Sequence, residues 1–269
     1  MYGQKPLFFR PVPGSVGIEQ DTITFDVGES YSPRELNVFN MPNALAQVQS
    51  PEAAIRFVEL FGPLLHFYEP LLEPADPAPD PVPAFMAHAT AARFALRLLE
   101  AMQDDDDERL AHVLESAQIL DENVKKRPAN TLTRKFLIPE ERFQRDVEFS
   151  ASSWRKLAVT VVRYAVLSNT PFIKPHIDFA DGGDRFERVI GGQKGLSLVE
   201  FVWYGVGEIA LVAQETKQRR IRLCRECDTP FFALDGRQRF CPPDPGSVES
   251  RCGKRHQKRR IRARKRKER

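Results

Sequence analysis

Leu223-Cys-Arg-Glu-Cys227, Arg239-Phe-Cys241 and Cys252-Gly-Lys-Arg255 hold every cysteine of the chain within its last fifth. Two residues separate the first pair, thirteen separate Cys227 from Cys241, and ten separate Cys241 from Cys252. A two-residue gap lets both thiolates reach one ion from a tight turn, and a second pair from a distant element completes a tetrahedral site. Four soft thiolates at Cys224, Cys227, Cys241 and Cys252 point to zinc, or less often to an iron–sulfur cluster. The competing reading is four unrelated core cysteines, since free cysteine is commonly buried. Their confinement to one arginine-rich stretch weighs against it.

The same stretch carries what a small module needs to fold around a metal. Phe231, Phe232, Leu234 and Phe240 are its candidate apolar core, and Asp235-Gly236 is a turn signal for a hairpin between the cysteine pairs. A module of this size buries too little surface to fold unaided, so metal binding has to supply folding free energy on the order of 10 kcal/mol. Pro242-Pro-Asp-Pro-Gly246 makes the gap before Cys252 stiff and longer than compact fingers use. His256 lies four residues after Cys252, on the same helical face, where it is either a replacement ligand or one more polar residue of the tail.

Beyond Cys252 the chain reads GKRHQKRRIRARKRKER, with only Ile261 and Ala263 apolar. Lys and Arg are good helix formers, and no proline interrupts them. Cations all round leave such a helix no face to bury in a core, but phosphates would neutralise it and release counterions. The alternative is a solvated basic tail. The candidate nucleic-acid contacts are Lys254, Arg255, Lys258, Arg259, Arg262 and Arg266, with Lys254 and Arg255 best placed for base edges.

These residues resemble the CGNR-type zinc finger, which ends bacterial proteins regarded as transcription regulators behind a helical amino-terminal domain. The resemblance rests on Leu223 to Phe232, Asp235, Arg239-Phe-Cys241 and Cys252-Gly-Lys-Arg255, and covers about the last 50 to 70 residues. It implies a zinc-binding, DNA-binding module with Cys224, Cys227, Cys241 and Cys252 as ligands. Lys254 stands where the family has asparagine, and the gap between the last two cysteines is expanded.

At 269 residues the chain has room for one main domain and a small appendage. It contains no run of eighteen apolar residues, and its opening MYGQKPLFFRPVPGS lacks the build of a secretory leader. Metal-type cysteine spacing fits a reducing cytoplasm. A net charge of +3 conceals a division: from Thr216 onward there are 19 Lys and Arg against 6 Asp and Glu, and before it 21 against 31. An acidic body with a basic end is the footprint of nucleic-acid binding confined to one module. The expected organisation is a mainly helical body over 1–215, with sensory or oligomerising roles, of which about residues 34–215 fold without the finger. A treble-clef-like finger with a basic helix follows over 216–269.

Along the body, residues 1–33 read as small hairpins or edge strands. Ser50-Pro51-Glu52 starts a helix that stops at Gly62-Pro63. Five prolines between Glu73 and Pro83 predict an extended spacer or surface loop. Apolar residues at helical spacing follow, from Ala91 to Met102 and from Leu110 to Val124, with Asp104 to Asp107 between them as a helix entrance or a docking site for the tail. Phe136-Leu137-Ile138 suggests a short strand, and Ser153 opens another helix. A long Pro/Gly loop spans 170–195, with Gly191-Gly-Gln-Lys-Gly195 as a turn or a ligand loop. A helix from Leu196 to Gln218, apolar through most of its circumference, belongs at the centre of a bundle, with Gly205 and Gly207 permitting close approach.

His66, His88, His112 and His176 form no ligand-like pair, and four cysteines close a zinc site against substrate water, so no enzyme is expected. The best-supported function is a zinc-dependent DNA-binding transcription regulator, of unknown effector and with homo-oligomerisation open. An RNA- or ribosome-associated finger, or an adaptor for an acidic protein, are the alternatives.

Overall fold

The computed structural model describes residues 7–11, 16–25, 31–65, 67–68, 80–103, 106–116, 137, 153–170, 176–179, 186–189, 196–215 and 220–268. The chain is mainly helical with small antiparallel strands, as its apolar periodicity predicts. β1 (Leu7–Pro11) pairs with β4 (Tyr31–Glu35), and β2 (Val16–Glu19) with β3 (Thr22–Phe25). Gln20 and Asp21, with φ of 48° and 61°, make the two-residue turn between β2 and β3.

Two short helices follow. α1 (Asn40–Ala46) carries Pro42 within its first turn, where no backbone donor is lost. Its brevity and weak periodicity hide it from sequence reading. α2 (Pro51–Phe61) begins as predicted: the Ser50 hydroxyl accepts from the Ala53 amide, and Gly62 ends the helix at a φ of 97°.

The proline-rich segment departs from the spacer expectation where it is described. Asp80 and Pro81 form β6, which pairs with β3, and Val82 already opens α3 (Val82–Met102). The reason is Asp80, whose fully buried carboxylate accepts from the Leu64 and Leu65 amides and closes the turn after α2. Burial pushes its carboxyl above the ordinary range. Residues 69–79 lie outside the described residues.

α4 (Asp107–Ser116) is entered through Asp106, which accepts from the Arg109 amide at 3.1 Å, in keeping with a helix-entrance role for the acidic run. Asp104, Asp105, Ala117 and Val124 lie outside the described residues, as do Phe136 and Ile138. Leu137 sits in a turn at a φ of 56°, which no strand accommodates. α5 (Trp154–Ser168) is capped by Ser153 as expected.

A hairpin, β7 (His176–Phe179) with β8 (Phe186–Val189), interrupts the long loop that the glycines and prolines suggested. The glycine clusters at 182–183 and 191–195 lie outside the described residues. Leu196 does not begin the next helix: Leu196–Ser197 is β9, paired with β5 (Phe67–Tyr68), and α6 (Leu198–Glu215) starts two residues later than expected. Ser197 and Glu200 form the entrance. The Glu200 carboxylate accepts from the Ser197 amide at 3.0 Å, and the Ser197 hydroxyl accepts from the Glu200 amide at 3.3 Å.

Two apolar cores result. One joins α3, α4, α5 and α6 around Trp203, Leu96 and Val162; the other joins α1, α2, β3 and the first turns of α3 and α6 around Phe85, Phe57 and Leu45. α6 passes through both. A methyl group at Gly205 would collide with the Val38 carbonyl oxygen and the Pro42 ring, so this glycine sets how closely α6 meets α1. Among the described residues, no helix is long and apolar enough to cross a membrane.

After α6 the chain forms β10 (Ile221–Leu223) and β11 (Pro230–Phe232), antiparallel, and ends in α7 (Arg251–Lys267). Ile221 and Phe232 belong to the larger core of the body. Phe232 therefore serves the body, stacked on Phe39 with ring centroids 5.1 Å apart. Leu234, expected inside the finger, is half exposed.

Candidate metal centre

The hairpin reverses through the first cysteine pair itself. The Cys224 amide donates to the Thr229 carbonyl at 3.0 Å, and the Asp228 amide donates to the Cys224 carbonyl at 2.9 Å. Asp228 takes the left-handed conformation, φ 56°, that this tight reversal needs. Asp235-Gly236, expected as the hairpin turn, instead lies after β11, where the Gln238 amide donates to the Asp235 carbonyl. The strands are too short to reach it.

The second pair arrives by two routes. The Arg225 amide holds the Arg239 carbonyl at 3.1 Å, which brings Cys241 alongside the knuckle. The Ser250 hydroxyl accepts from the Gly253 amide at 2.9 Å, starting α7 with Cys252 in its first turn. Three of the four cysteines are buried, and Cys227 is partly exposed.

All four Sγ atoms lie within 4.8 Å of one another. Cys227 Sγ is 3.5 Å from Cys241 Sγ and 3.7 Å from Cys252 Sγ, far beyond disulfide bonding. A tetrahedron with metal–sulfur bonds of about 2.3 Å has sulfur–sulfur edges of about 3.8 Å, so the set fits one thiolate-bound ion. The electrostatics agree. Hydrogen bonds from the Cys224 and Cys241 thiols hold Cys227 far below its ordinary value, while hydrogen bonds with Cys224 and Cys227 push Cys241 far above it. Cys252 is pushed up to about 11, first by burial and then by Cys224 and Cys227, against the lowering hydrogen bond from Arg255. The two directions belong to one cluster: it holds one thiolate comfortably and resists the next until a cation offsets the charge.

Glu226, inside the knuckle, ties the centre to α7. Its nearly buried carboxylate lies 3.6 Å from His256 Nδ1 and 3.2 Å from an Arg259 guanidinium nitrogen. His256, considered above as a replacement ligand, sits against Phe240 at 5.1 Å between ring centroids and faces Glu226. Sequence reading missed Glu226, whose only signal is its place between two ligands. Arg255 donates to Cys252 Sγ at 3.2 Å, so its charge lies over the centre.

The remaining candidate contacts lie along α7. Lys254, Lys258, Arg262 and Arg266 are exposed and, with Arg255, Arg259 and Lys265, share an arc of about 140° at 100° per residue. The opposite side, bearing Gly253, Gln257, Arg260, Ile261 and Arg264, borders a shallow groove against residues 234–243. With Arg260, Arg264 and Lys267 on that side as well, cations surround the helix as the sequence predicts.

The body grips the hairpin by both edges. Gln103, just past α3, accepts from the Arg220 and Ile221 amides at 2.9 and 3.1 Å and donates to the Ile221 carbonyl at 2.9 Å. Asn43 of α1 accepts from the Phe232 amide at 2.7 Å and donates to its carbonyl at 3.0 Å. Two side-chain amides thus take the place of neighbouring strands. Arg97 of α3 pairs with Asp228, and Arg56 of α2 with Asp244. Comparisons with protein-family models, curated proteins and solved structures find no match to this chain.

Proposed function

We propose that the chain is a zinc-dependent, duplex-DNA-binding transcription regulator of the CGNR type, with a treble-clef-like finger formed by β10, β11 and the start of α7. The observation that carries this reading is the place of Cys252, a candidate ligand in the first turn of the helix whose outer arc is basic. Zinc bound there would supply folding free energy to the knuckle and leave no coordination position for substrate. Cys224, Cys227, Cys241 and Cys252 would hold it, Arg255 would offset the charge of the thiolates, and Glu226 would fix the rotation of α7. That rotation presents Lys254, Lys258, Arg262 and Arg266 outward.

Four phosphates neutralised by those side chains give a log–log dependence of affinity on salt with a slope near −3.6 on duplex DNA. Exchanging Arg262 and Arg266 for alanine reduces the slope by about 2 on every sequence. Lys254, nearest the centre, is the best placed of the four for base edges, so Lys254→Ala narrows the gap between selected and random sites. Tighter binding to structured RNA than to duplex DNA, or full affinity after chelation of zinc, would overturn the reading.

A further inference from the structure

At about 100° per residue, the Lys and Arg side chains of α7 ring its axis and leave two gaps of about 80° each. One gap, between Arg259 and Lys267, bears Cys252, His256 and Ala263. It is turned toward the sulfur cluster, Glu226 and Phe240, so the packing of the finger accounts for it. The other gap, between Arg264 and Lys254, is diametrically opposite and bears Gln257 and Ile261, one turn apart. Both border the groove that Leu234 also lines, yet Gln257 is exposed and Ile261 is half exposed. From Gln257 to Lys267 the only other uncharged residue is Ala263, on the metal side. Packing within the chain therefore gives no reason for an uncharged strip facing outward.

A duplex supplies the reason. Its major groove, about 12 Å wide, admits an α-helix and presents base edges on its floor between two phosphate backbones. A helix lying there gains from cations on both flanks and from side chains of another kind between them. Arg260 and Arg264 form one flank, continued across the shallow groove by the exposed Arg239. Lys258 and Arg262 form the other. From this we infer that Gln257 and Ile261 determine sequence specificity, Gln257 reading adenine and Ile261 packing on the methyl group of thymine. A carboxamide both donates and accepts, which matches adenine N6 and N7, and an exposed aliphatic chain matches the thymine C5-methyl group. Four residues of helix rise about 6 Å, so the two contacts fall within about two base pairs of each other. Lys254 borders the same strip on its other side. The inference rests on the duplex-DNA reading proposed above and names what that interface selects.

The test selects duplexes from a randomised pool with the full-length, zinc-loaded chain, then measures affinity for the selected duplex by fluorescence anisotropy. The selected duplex contains an adenine and a thymine within that spacing. Exchanging its thymines one at a time for deoxyuridine removes only a methyl group. At one position this weakens the wild-type chain about fourfold, the worth of one buried methyl group, and leaves Ile261→Ala unaffected. Exchanging its adenines for 7-deazaadenine removes the N7 acceptor. At one position this weakens the wild-type chain about tenfold and leaves Gln257→Ala unaffected. Both variants keep the wild-type dependence on salt, because neither side chain neutralises a phosphate. Side chains that only steadied α7 against Leu234 would give a different result: each variant would weaken all duplexes alike and stay as sensitive to both analogues as the wild type. That result overturns the proposal, as does a selected duplex without the adenine and thymine. Salt-dependent duplex binding accompanying either result leaves the regulator reading standing, whereas absence of duplex binding removes both.

Discussion

Cys227 is one corner of the sulfur cluster, 3.5 Å from one neighbour and 3.7 Å from another, so Cys227→Ser removes one of the four candidate ligands. Metal content is expected to fall from one ion per chain to near zero. The signal of α7 is lost with it, because a 17-residue helix of like charges is marginal alone. Undiminished zinc would remove the assignment. His88 makes a separate prediction. Burial lowers its pKa to about 4 from 6.5, and the neutral ring accepts from Trp203 Nε1 at 3.3 Å. A depressed histidine contributes stability that is present above the unfolded value and lost as pH falls toward the folded one. The acid limb of unfolding between pH 6.5 and 4 should therefore flatten in His88→Gln. The effect is at most about 3 kcal/mol, less in proportion to the exposure His88 retains. An unchanged limb in denaturant titrations across that range would contradict it. Of these residues the cysteines were legible from spacing, because ligand geometry constrains nearby positions. Glu226 and Asn43 were not, because their partners lie on elements whose positions no local pattern specifies.

At the scale of elements, β10 and β11 are a hairpin of three residues per strand, too small to persist unsupported. The amides of Asn43 and Gln103 supply what adjoining strands would. Asn43→Ala leaves the Phe232 amide and carbonyl buried without partners, at a cost of about 2 to 4 kcal/mol. Denaturant unfolding of the zinc-loaded chain measures it, and a cost below about 1 kcal/mol would mean that solvent replaces the side chain. Gly205→Ala strikes a different contact. Its methyl would meet the Val38 carbonyl and Pro42, so α6 has to move from α1 at a cost of about 1 to 3 kcal/mol, despite the higher helix propensity of alanine. A rise in melting temperature would show that α1 yields freely. Helices α2, α5 and α6 were readable from capping hydroxyls and periodicity. α1 and the exact start of α3 were not, since both depend on buried contacts made by Pro42 and Asp80.

The whole molecule adds a constraint that a boundary at 215 and 216 does not capture. Ile221 and Phe232 fill the larger core of the body, and Asn43 and Gln103 pair with the hairpin. A chain ended at Gln214 loses two buried side chains worth about 2 to 3 kcal/mol each, and leaves polar groups unpaired. Together these approach the net stability of a typical domain. Its near-ultraviolet dichroism and cooperative melting are expected to weaken markedly, and native-like melting would show that the body repacks. The sequence by itself determined the helical class, the four candidate ligands and the division into acidic body and basic end. All of these rest on local spacing, periodicity or composition. Only the tertiary structure decided which residues face which: that Phe232 serves the body, that His256 meets Glu226 and lies outside the sulfur cluster, and that the proline excursion meets α2 through Asp244. Those outcomes depend on long-range packing between segments up to 189 residues apart, for which a single sequence carries no periodic signal.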